Sequence, residues 1–380
     1  MIGQFNLDQS ITFLNHGSFG ACTKVVMDEY IKFQYELEKQ PVDFIESRVP
    51  DLLMKSRLKL SEFLGVSNED IILVDNPTTA INEIIRSLEL SDGDEIITTD
   101  HEYGAMDKAW EFITERTGSK YNRVELPFPI TSNDDIISAL KNKFSSKTKI
   151  LFISHITSPT GMIFPIKELC DYARLKNVIT IIDGAHTPGH IPLDISLINP
   201  DFYIGTCHKW LCTPKGVSFL YVKKNIQNLI DPLIIGWGWR DSESKLSPFI
   251  NNHEWWGTRD MSAYFCLPIA LDVHQSIEMK NARLSCLKKI PQIRETINSL
   301  TQQFPICPID MLGQMTSLVI PGFENTELKL KLINDYKIEI PVFKWKGMSI
   351  LRVSYQVYNT DKDLDHLYNS LKKILSLNVT

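Results

Sequence analysis

Residues Ile181–Trp210 read IIDGAHTPGHIPLDISLINPDFYIGTCHKW, and the fold of this chain can be predicted from their pattern. One apolar run, Val178–Ile182, ends in Asp183, and a second, Phe202–Gly205, is followed closely by Lys209. Short apolar strands of this kind are typical of a parallel sheet whose two faces are covered. Ligands of such sheets bind at the carboxyl ends of the strands. We therefore predict an α/β fold in which Asp183 and Lys209 face one pocket.

An amine and a carboxylate in one pocket suit pyridoxal 5′-phosphate. This cofactor needs an amine for its Schiff base, a carboxylate that keeps its ring nitrogen protonated, and donors for its phosphate. Lys209 and Asp183 supply the first two, while Thr206 and His208 can reach the phosphate with a hydroxyl and an imidazole N–H. The spacing alone also fits an aspartate that caps a turn and a lysine on a solvated loop.

Several short motifs resemble those of a known family. D-G-A-H at 183–186 and G-T-C-H-K-W at 205–210 resemble the signature of class V aminotransferase-type enzymes, which depend on pyridoxal phosphate and have fold type I. N-H-G-S-F-G at 15–20, D-H-E-Y-G-A at 100–105 and S-P-T-G at 158–161 are similar to motifs of the isopenicillin N epimerase-like subgroup. The resemblance extends from Asn15 to about Tyr358, which is nearly the whole chain.

The resemblance implies a chain of three parts. An amino-terminal segment at 1–20 precedes a large cofactor-binding domain at 21–255, with a mostly parallel seven-stranded sheet between helices. A smaller α+β domain at 256–380 follows. The run KGVSFLYV, from Lys215, reads as a strand that returns to the large sheet and closes it. The resemblance also implies a homodimer with active sites at the interface.

Composition excludes several kinds of partner. The net charge of −6 comes without a basic cluster, so we expect neither nucleic acid nor an anionic membrane as a partner. No apolar run reaches the ~20 residues that span a bilayer, and the amino terminus lacks a secretory pattern. The 7 cysteines are scattered and never form CxxC, which indicates reduced thiols, no metal site and a cytoplasmic protein.

Further cofactor contacts are predicted along the chain. Thr78 and Thr79 open a helix, where free N–H groups and the helix dipole attract anions, although threonines there often only cap the helix. The family order makes these two the main phosphate cradle. By resemblance, Tyr103 stacks on the pyridine ring, and Ser158 and His186 contact its phenolic oxygen; each also has an ordinary structural reading. The resemblance also makes Thr258 a phosphate contact to the partner subunit.

Substrate contacts rest on the resemblance as well. Arg352 matches the arginine that holds the substrate α-carboxylate, a role that suits a planar guanidinium better than an ammonium. An edge-strand salt bridge is the alternative. Asn15, His16 and Gly17 correspond to the loop over the substrate carboxylate, or form only a turn before a helix. Four tryptophans either wall the pocket or anchor the dimer: Trp237, Trp239, Trp255 and Trp256.

The predicted chemistry is activation of the Cα–H bond of a free amino acid, with Lys209 as general base and Asp183 and Tyr103 as its catalytic partners. Epimerisation or racemisation comes first; β- or γ-elimination, C–S lysis, elimination with ring closure, and transamination remain alternatives. Desulfuration is disfavoured because the segment 339–350 lacks the cysteine that desulfurases carry there. A non-catalytic scaffold is the remaining reading.

Overall fold

Strands form three sheets in the computed structural model, which describes residues 1–377. The strands are β1 Thr12–Phe13, β2 Ile71–Val74, β3 Glu95–Thr99, β4 Lys120–Val124, β5 Thr148–Ser154, β6 Ile179–Gly184, β7 Phe202–Thr206, β8 Ser218–Val222, β9 Met315–Val319, β10 Ile338–Glu339, β11 Val342–Trp345 and β12 Met348–Ser354. Seven of them make a central sheet in the order β2-β8-β7-β6-β5-β3-β4.

All neighbours in the central sheet are parallel except those of β8, which runs antiparallel to β2 and β7. The predicted return strand is β8, but it lies inside the sheet and β2 forms the edge. The prediction that β8 closes the sheet was therefore wrong. β2 comes early in the chain, and only pairing between distant segments places it outside β8. The predicted fold class, a mostly parallel seven-stranded sheet with helices, is confirmed.

Helices cover the sheets. They are α1 His16–Phe19, α2 Lys24–Lys39, α3 Pro41–Asp43, α4 Val49–Leu64, α5 Pro77–Ser87, α6 Gly104–Thr117, α7 Asn133–Lys141, α8 Ile166–Leu175, α9 Ile195–Ile198, α10 Pro248–Glu254, α11 Ser262–Phe265, α12 Leu267–Gln275, α13 Ile277–Thr301, α14 Asn325–Tyr336 and α15 Asp361–Leu377. Within residues 1–377, no helix combines the length and apolar character that a bilayer crossing requires.

The central strands are buried on both faces, as their apolar sequences predict. Neighbouring residues of one strand point to opposite sides, so that Ile181 packs with α5, α6 and α10 while Ile182 packs with α4, α7 and α8. Both side chains have no exposed surface. Because the core occupies both faces, the strand ends are the places where polar side chains can meet a ligand.

The C-terminal module consists of α13–α15, the antiparallel sheet β11-β12-β9 and the short strand β10. It has its own apolar core, to which Leu14 of the amino-terminal segment contributes. β1 pairs with β10, so the start of the chain is attached to this module. The domain boundary expected at 255/256 stays a prediction; α11 and α12 pack in the core of the large sheet, which favours a boundary nearer α13.

Candidate active site

A cavity of about 310 Å³ opens at the carboxyl ends of β5, β6 and β7. The C-terminal module closes its other side through β11 and β12. The cavity is lined by Gly17, Ser18, Phe19, Asn76, Pro77, Thr78, Tyr103, Met106, Ser154, Ile156, Ser158, Asp183, Ala185, His186, His208, Lys209, Phe343 and Arg352. Residues more than 300 positions apart in the sequence therefore share one site.

Lys209 and Asp183 both line this cavity, as the sequence predicts. Burial lowers the pKa of Lys209 to about 7, and the positive charge of Arg352 adds to the effect while Asp183 opposes it. Burial also raises the pKa of Asp183, against a hydrogen bond of 2.9 Å from the Ala185 N–H to Oδ1. The pocket thus holds a lysine whose amine is substantially neutral at physiological pH.

His186 lies beside the lysine amine, with 3.2 Å between its Nε2 and Lys209 Nζ. Burial first, and then the charges of Lys209 and Arg352, hold the pKa of His186 well below its usual range. The imidazole is therefore neutral. A neutral ring beside an amine exchanges a hydrogen bond with it without adding a second positive charge.

The predicted phosphate cradle is partly assembled. Thr78 lines the cavity at the start of α5, but Thr79 does not. The Thr79 N–H donates to Asn76 Oδ1 at 2.9 Å, so Asn76 is the cap of this helix. The hydroxyl of Thr206 is fully buried and has no hydrogen-bond partner within residues 1–377. An unpartnered buried hydroxyl is costly unless a ligand satisfies it.

His208 reaches the cavity, but its predicted hydrogen bond needs a correction. Its Nδ1 lies 3.2 Å from the Val217 carbonyl oxygen, which can only accept, so Nδ1 carries the proton. Burial, Lys209 and Lys215 lower the pKa of His208 to about 4. In the neutral ring Nε2 is therefore an acceptor. It becomes an N–H donor to phosphate only if the anion itself draws a proton onto the ring.

Arg352 lies on β12 with 1% of its surface exposed. It donates to the Ser158 carbonyl oxygen and, at 3.3 Å, to the Ser18 hydroxyl. The Phe343 ring lies 5.1 Å from the guanidinium carbon, and burial lowers the pKa of Arg352 to about 10. The side chain is still a cation at neutral pH. It is held by neutral groups, with no carboxylate partner among residues 1–377, and so is available to an anionic ligand.

The amino-terminal loop divides between two roles. Gly17 lines the cavity, and a Cβ there would lie 3.3 Å from an Arg352 nitrogen. Asn15 accepts a 2.5 Å hydrogen bond from the Ser18 hydroxyl. The His16 ring does not line the cavity and lies behind it, against the backbone of Lys209. The structure therefore does not place the His16 ring where a substrate in this cavity would contact it directly.

Of the other predicted residues, Tyr103 lines the cavity, whereas Thr258 and the tryptophans do not. Tyr103 lines the cavity and is 47% exposed, which leaves its ring free to stack on a ligand. Thr258 is exposed and away from this cavity. The tryptophans lie elsewhere too: Trp237, Trp239 and Trp256 line an open surface groove. Trp237 is 90% exposed. The reading in which the tryptophans wall the substrate pocket has no support within one chain.

Sequence reasoning missed several cavity residues because nothing local marks them. Phe343 and Met106 reach the cavity only through the packing of distant elements. Ser154 had a detectable signal, since it is the last residue of β5 and pairs with Asp183 in the sheet. Behind Ser154 lies the buried Glu102, which accepts hydrogen bonds from the Ser154 N–H at 2.9 Å and from its hydroxyl at 2.5 Å. Burial raises the pKa of Glu102 to about 8.

The loop around Gly20 gives a stability prediction. Its φ is +69°, and a Cβ there would lie 2.0 Å from the His208 carbonyl oxygen. We expect Gly20→Ala to lower the free energy of unfolding by more than the ~1–2 kcal/mol that a left-handed conformation costs alone. Gly216→Ala is the matched control, because Gly216 has φ +85° and nothing within 4 Å. Urea unfolding of both variants measures the difference; equal losses would contradict the close approach.

The low pKa of Lys209 gives a pH prediction. An amine attacks a carbonyl only when it is neutral, and a pKa of about 7 makes Lys209 neutral above that pH. We expect the rate of pyridoxal-phosphate uptake by the cofactor-free protein to rise from pH 6 to 8 and then level off. Stopped-flow absorption measures it. A rate that keeps rising towards pH 10, as for an ordinary lysine, would contradict the environment described here.

The donor set fits pyridoxal 5′-phosphate. A lysine amine of lowered pKa, a buried carboxylate and the start of α5 lie around one cavity. Thr206, whose buried hydroxyl has no partner within residues 1–377, lies at the end of β7 and does not line the cavity itself. No group of three or more His, Cys, Asp or Glu side chains in the described part of the chain is arranged to hold a metal ion. The 7 cysteines form no disulfides.

Comparison with known proteins identifies the family of the chain. The Aminotransferase class-V family model matches residues 21–367. Isopenicillin N epimerase from Amycolatopsis lactamdurans is 31% identical over 98% of this chain and 97% of its own length. An L-cysteine desulfhydrase from Arabidopsis thaliana is 26% identical over 97% of this chain and 88% of that protein.

Solved structures share the fold. A C-DES mutant with glycine covalently linked to its PLP cofactor has a TM-score of 0.83, at 20% identity, over 98% of this chain and 99% of that chain. The cysteine desulfurase CsdA from Escherichia coli has a TM-score of 0.80, at 21% identity, over 99% of this chain and 98% of that chain. The family match and the PLP of C-DES agree with the cofactor expected from the sequence. The chain belongs to the class-V aminotransferase family.

Proposed function

We propose that this chain binds pyridoxal 5′-phosphate and activates the Cα–H bond of a free amino acid, as an epimerase or racemase of the isopenicillin N epimerase-like type. One observation carries the proposal: a lysine whose pKa is lowered to about 7 shares a cavity with a buried carboxylate and with a buried arginine that has no carboxylate partner in the described part of the chain. When bound, the cofactor supplies an aldehyde for the amine and a ring that withdraws electrons from Cα.

The chain's own residues would then divide the work. Arg352 would bind the substrate α-carboxylate in a two-point geometry, with Ser18 and Ser158 holding its guanidinium in place. Lys209 would take the α-proton, since a pKa of about 7 lets an amine accept and return protons near neutral pH. Asp183 would oppose the ring nitrogen, where its negative charge keeps that nitrogen protonated. Tyr103 would cover the ring and exclude water.

Elimination is the second candidate, and the desulfhydrase relatives favour it. C–S lysis, elimination with ring closure, and transamination begin with the same loss of a proton from Cα. The fold does not determine which later step follows, so all three stay alternatives. A non-catalytic scaffold is disfavoured by the lowered pKa of Lys209, for which a binding protein has no use.

Desulfuration is a further alternative that we propose to exclude. It needs a thiolate that attacks the substrate sulfur, and no cysteine of residues 1–377 lines the cavity. Cys307, which precedes the C-terminal sheet, is buried with its pKa raised to about 12.

The cytoplasmic location stays a proposal. It rests on the scattered cysteines of the sequence, which include no CxxC motif.

The surface supports the proposed homodimer. Trp237 and Ile235 are 90% and 60% exposed and lie on one loop, while Phe19 at the rim of the cavity is 70% exposed. A contiguous exposed apolar patch, such as the groove that Ile235 and Trp237 line, marks an interaction surface. In this arrangement Thr258 would contact the phosphate in the partner subunit.

The test is incubation of the holoenzyme with a panel of amino acids in deuterated water. Deuterium at Cα with inverted configuration indicates epimerisation. A 2-oxo acid formed with loss of a leaving group indicates elimination, and conversion of the cofactor to its pyridoxamine form indicates transamination. A preparation that stays colourless after addition of pyridoxal phosphate would refute the proposal and favour the scaffold.

A further inference from the structure

Two buried histidines enclose Trp210, the residue that follows Lys209. The His190 ring stacks on the indole at 3.8 Å between centroids and 16° between planes. The His16 ring lies 5.0 Å from the indole centroid at 60°. All three side chains are at most 4% exposed, and neither histidine lines the cavity. We call His16, Trp210 and His190 the histidine clamp.

Each histidine of the clamp contacts the backbone of a cavity residue. His16 Nε2 lies 2.9 Å from the carbonyl oxygen of Lys209. His190 Nδ1 lies 3.0 Å from the carbonyl oxygen of His186. Lys209 and His186 are the two residues whose side chains meet at 3.2 Å. The histidine clamp therefore contacts the backbone of Lys209 and His186 on the side that faces away from the cavity.

The other ring nitrogens face residues near the C-terminal sheet. The Tyr358 hydroxyl lies 3.0 Å from His16 Nδ1, and the Gln314 N–H donates to His190 Nε2 at 2.5 Å. Gln314 precedes β9 and Tyr358 follows β12. Hydrogen bonds of 2.9 and 3.0 Å between Gln314 and Tyr355 join these two segments. Both histidines thus reach one rigid part of the C-terminal side.

The bonds determine both tautomers. A carbonyl oxygen only accepts, so His16 carries its proton on Nε2 and its Nδ1 accepts from Tyr358. His190 carries its proton on Nδ1, because Nε2 accepts from a backbone N–H. Protonation of His190 would break its accepting bond, because a backbone N–H cannot accept a hydrogen bond. Burial lowers the pKa of both rings to about 3. A Cβ on Gly313 would lie 2.4 Å from His190 Nε2, so the backbone leaves room for this ring.

We propose that His16 and His190 are positioning residues that set the alignment of Lys209 and His186 from the C-terminal side of the molecule. The inference rests on the proposed function, in which Lys209 is the reactive amine. Loosening either contact would let the amine move towards solvent and away from Arg352. An error of about 1 Å in the placement of a reacting group can cost ~100-fold in rate.

Amide side chains separate the two bonds of each ring. Glutamine places its NH₂ where Nε2 lies, and asparagine where Nδ1 lies. His16→Gln therefore keeps the donor to Lys209, whereas His16→Asn loses it. At His190 the order reverses, because His190→Asn keeps the donor to His186 and His190→Gln loses it. Each variant breaks one of the two hydrogen bonds of its histidine ring. A purely structural role therefore predicts similar results for the two variants of a pair.

The measurements are the pH dependence of pyridoxal-phosphate uptake by the cofactor-free variants, the pH titration of the bound chromophore, and kcat and KM separately. We expect His16→Asn and His190→Gln to raise the apparent pKa of Lys209 and to lower kcat by about 10- to 100-fold. We expect His16→Gln and His190→Asn to stay within about threefold of the wild type, because each keeps the donor to its carbonyl.

Several outcomes would overturn the proposal. If the wild type takes up the cofactor and the two variants of each pair behave alike, the histidines do not position the lysine. Should the variants of one histidine fail to fold, the pair at the other histidine decides alone. Tyr358→Phe removes the same bond to His16 Nδ1 as His16→Gln does, so we expect it to leave the apparent pKa of Lys209 unchanged, and a shift as large as that expected for His16→Asn would count against the clamp. Failure of the wild type to bind pyridoxal phosphate would instead refute the proposed function, so the two failures are distinguishable.

Discussion

The Lys209→Ala variant is expected to lose the near-violet absorption band of a covalently held cofactor and at least ~10²–10⁴-fold in kcat, the contribution of a positioned acid–base group. The structure makes the effect specific to this lysine. Lys209 is the lysine that lines the cavity, and its pKa is lowered to about 7 by burial and by Arg352. Absorption spectra before borohydride treatment, and mass spectrometry of the peptide that the treatment labels, measure the loss.

Lys344→Ala is the matched control for this experiment. Lys344 lies on β11 beside the cavity residue Phe343, but its side chain is exposed. We expect its spectrum and kcat to match those of the wild type. If Lys209→Ala still gains a borohydride-stable label, and that label lies on another lysine, the amine has been assigned to the wrong residue.

The Arg352→Gln variant is expected to raise the KM for the amino-acid substrate by ~30- to ~4000-fold. The loss of one partner from a buried charge pair costs about 2–5 kcal/mol, and 1.4 kcal/mol corresponds to a factor of ten. Arg352 has 1% exposure, and neutral groups already hold its guanidinium. Its charge is therefore free for a substrate carboxylate. Steady-state kinetics with the best substrate of the panel measure the change.

Arg352→Lys tests the geometry of this contact. Lysine retains the charge but not the fork that pairs with a carboxylate at two points, so we expect an intermediate KM. Circular dichroism serves as the check on folding, because the charge of Arg352 also acts on Lys209 and its loss changes the environment of a bound chromophore. A KM that is unchanged in Arg352→Gln, with a normal circular dichroism spectrum, would remove Arg352 from the substrate site.

Much of the site was predictable from short patterns. One apolar strand ends in Asp183 and another ends near Lys209. Because the carboxyl ends of parallel strands lie on the same side of a sheet, this pattern alone predicts that the two side chains are close together. Thr78 at a helix start and Arg352 in its motif followed from local signals, and both line the cavity. Their roles stay predictions, as do those of Asp183 and Tyr103. Thr258 and the dimer belong to an assembly that one chain does not contain.

Other expectations needed the folded structure. The sequence suggested a substrate contact for His16, whereas the ring lies behind Lys209 and bonds its carbonyl. His208 was expected to offer an N–H to phosphate, yet its proton is directed to Val217. The tautomer of an imidazole depends on which groups surround it, and those groups come from distant parts of the chain.

Local patterns in the sequence were therefore enough to predict the fold class and the family, and to predict that Asp183 and Lys209 share one pocket, because each buried strand is followed directly by its polar end. The protonation states, and the contacts behind the cavity residues, follow from the folded structure alone. The pKa of Lys209 depends on burial and on Arg352, which lies 143 positions later in the chain. Electrostatic interactions act through distance in space, and distance in space is set only when the chain has folded.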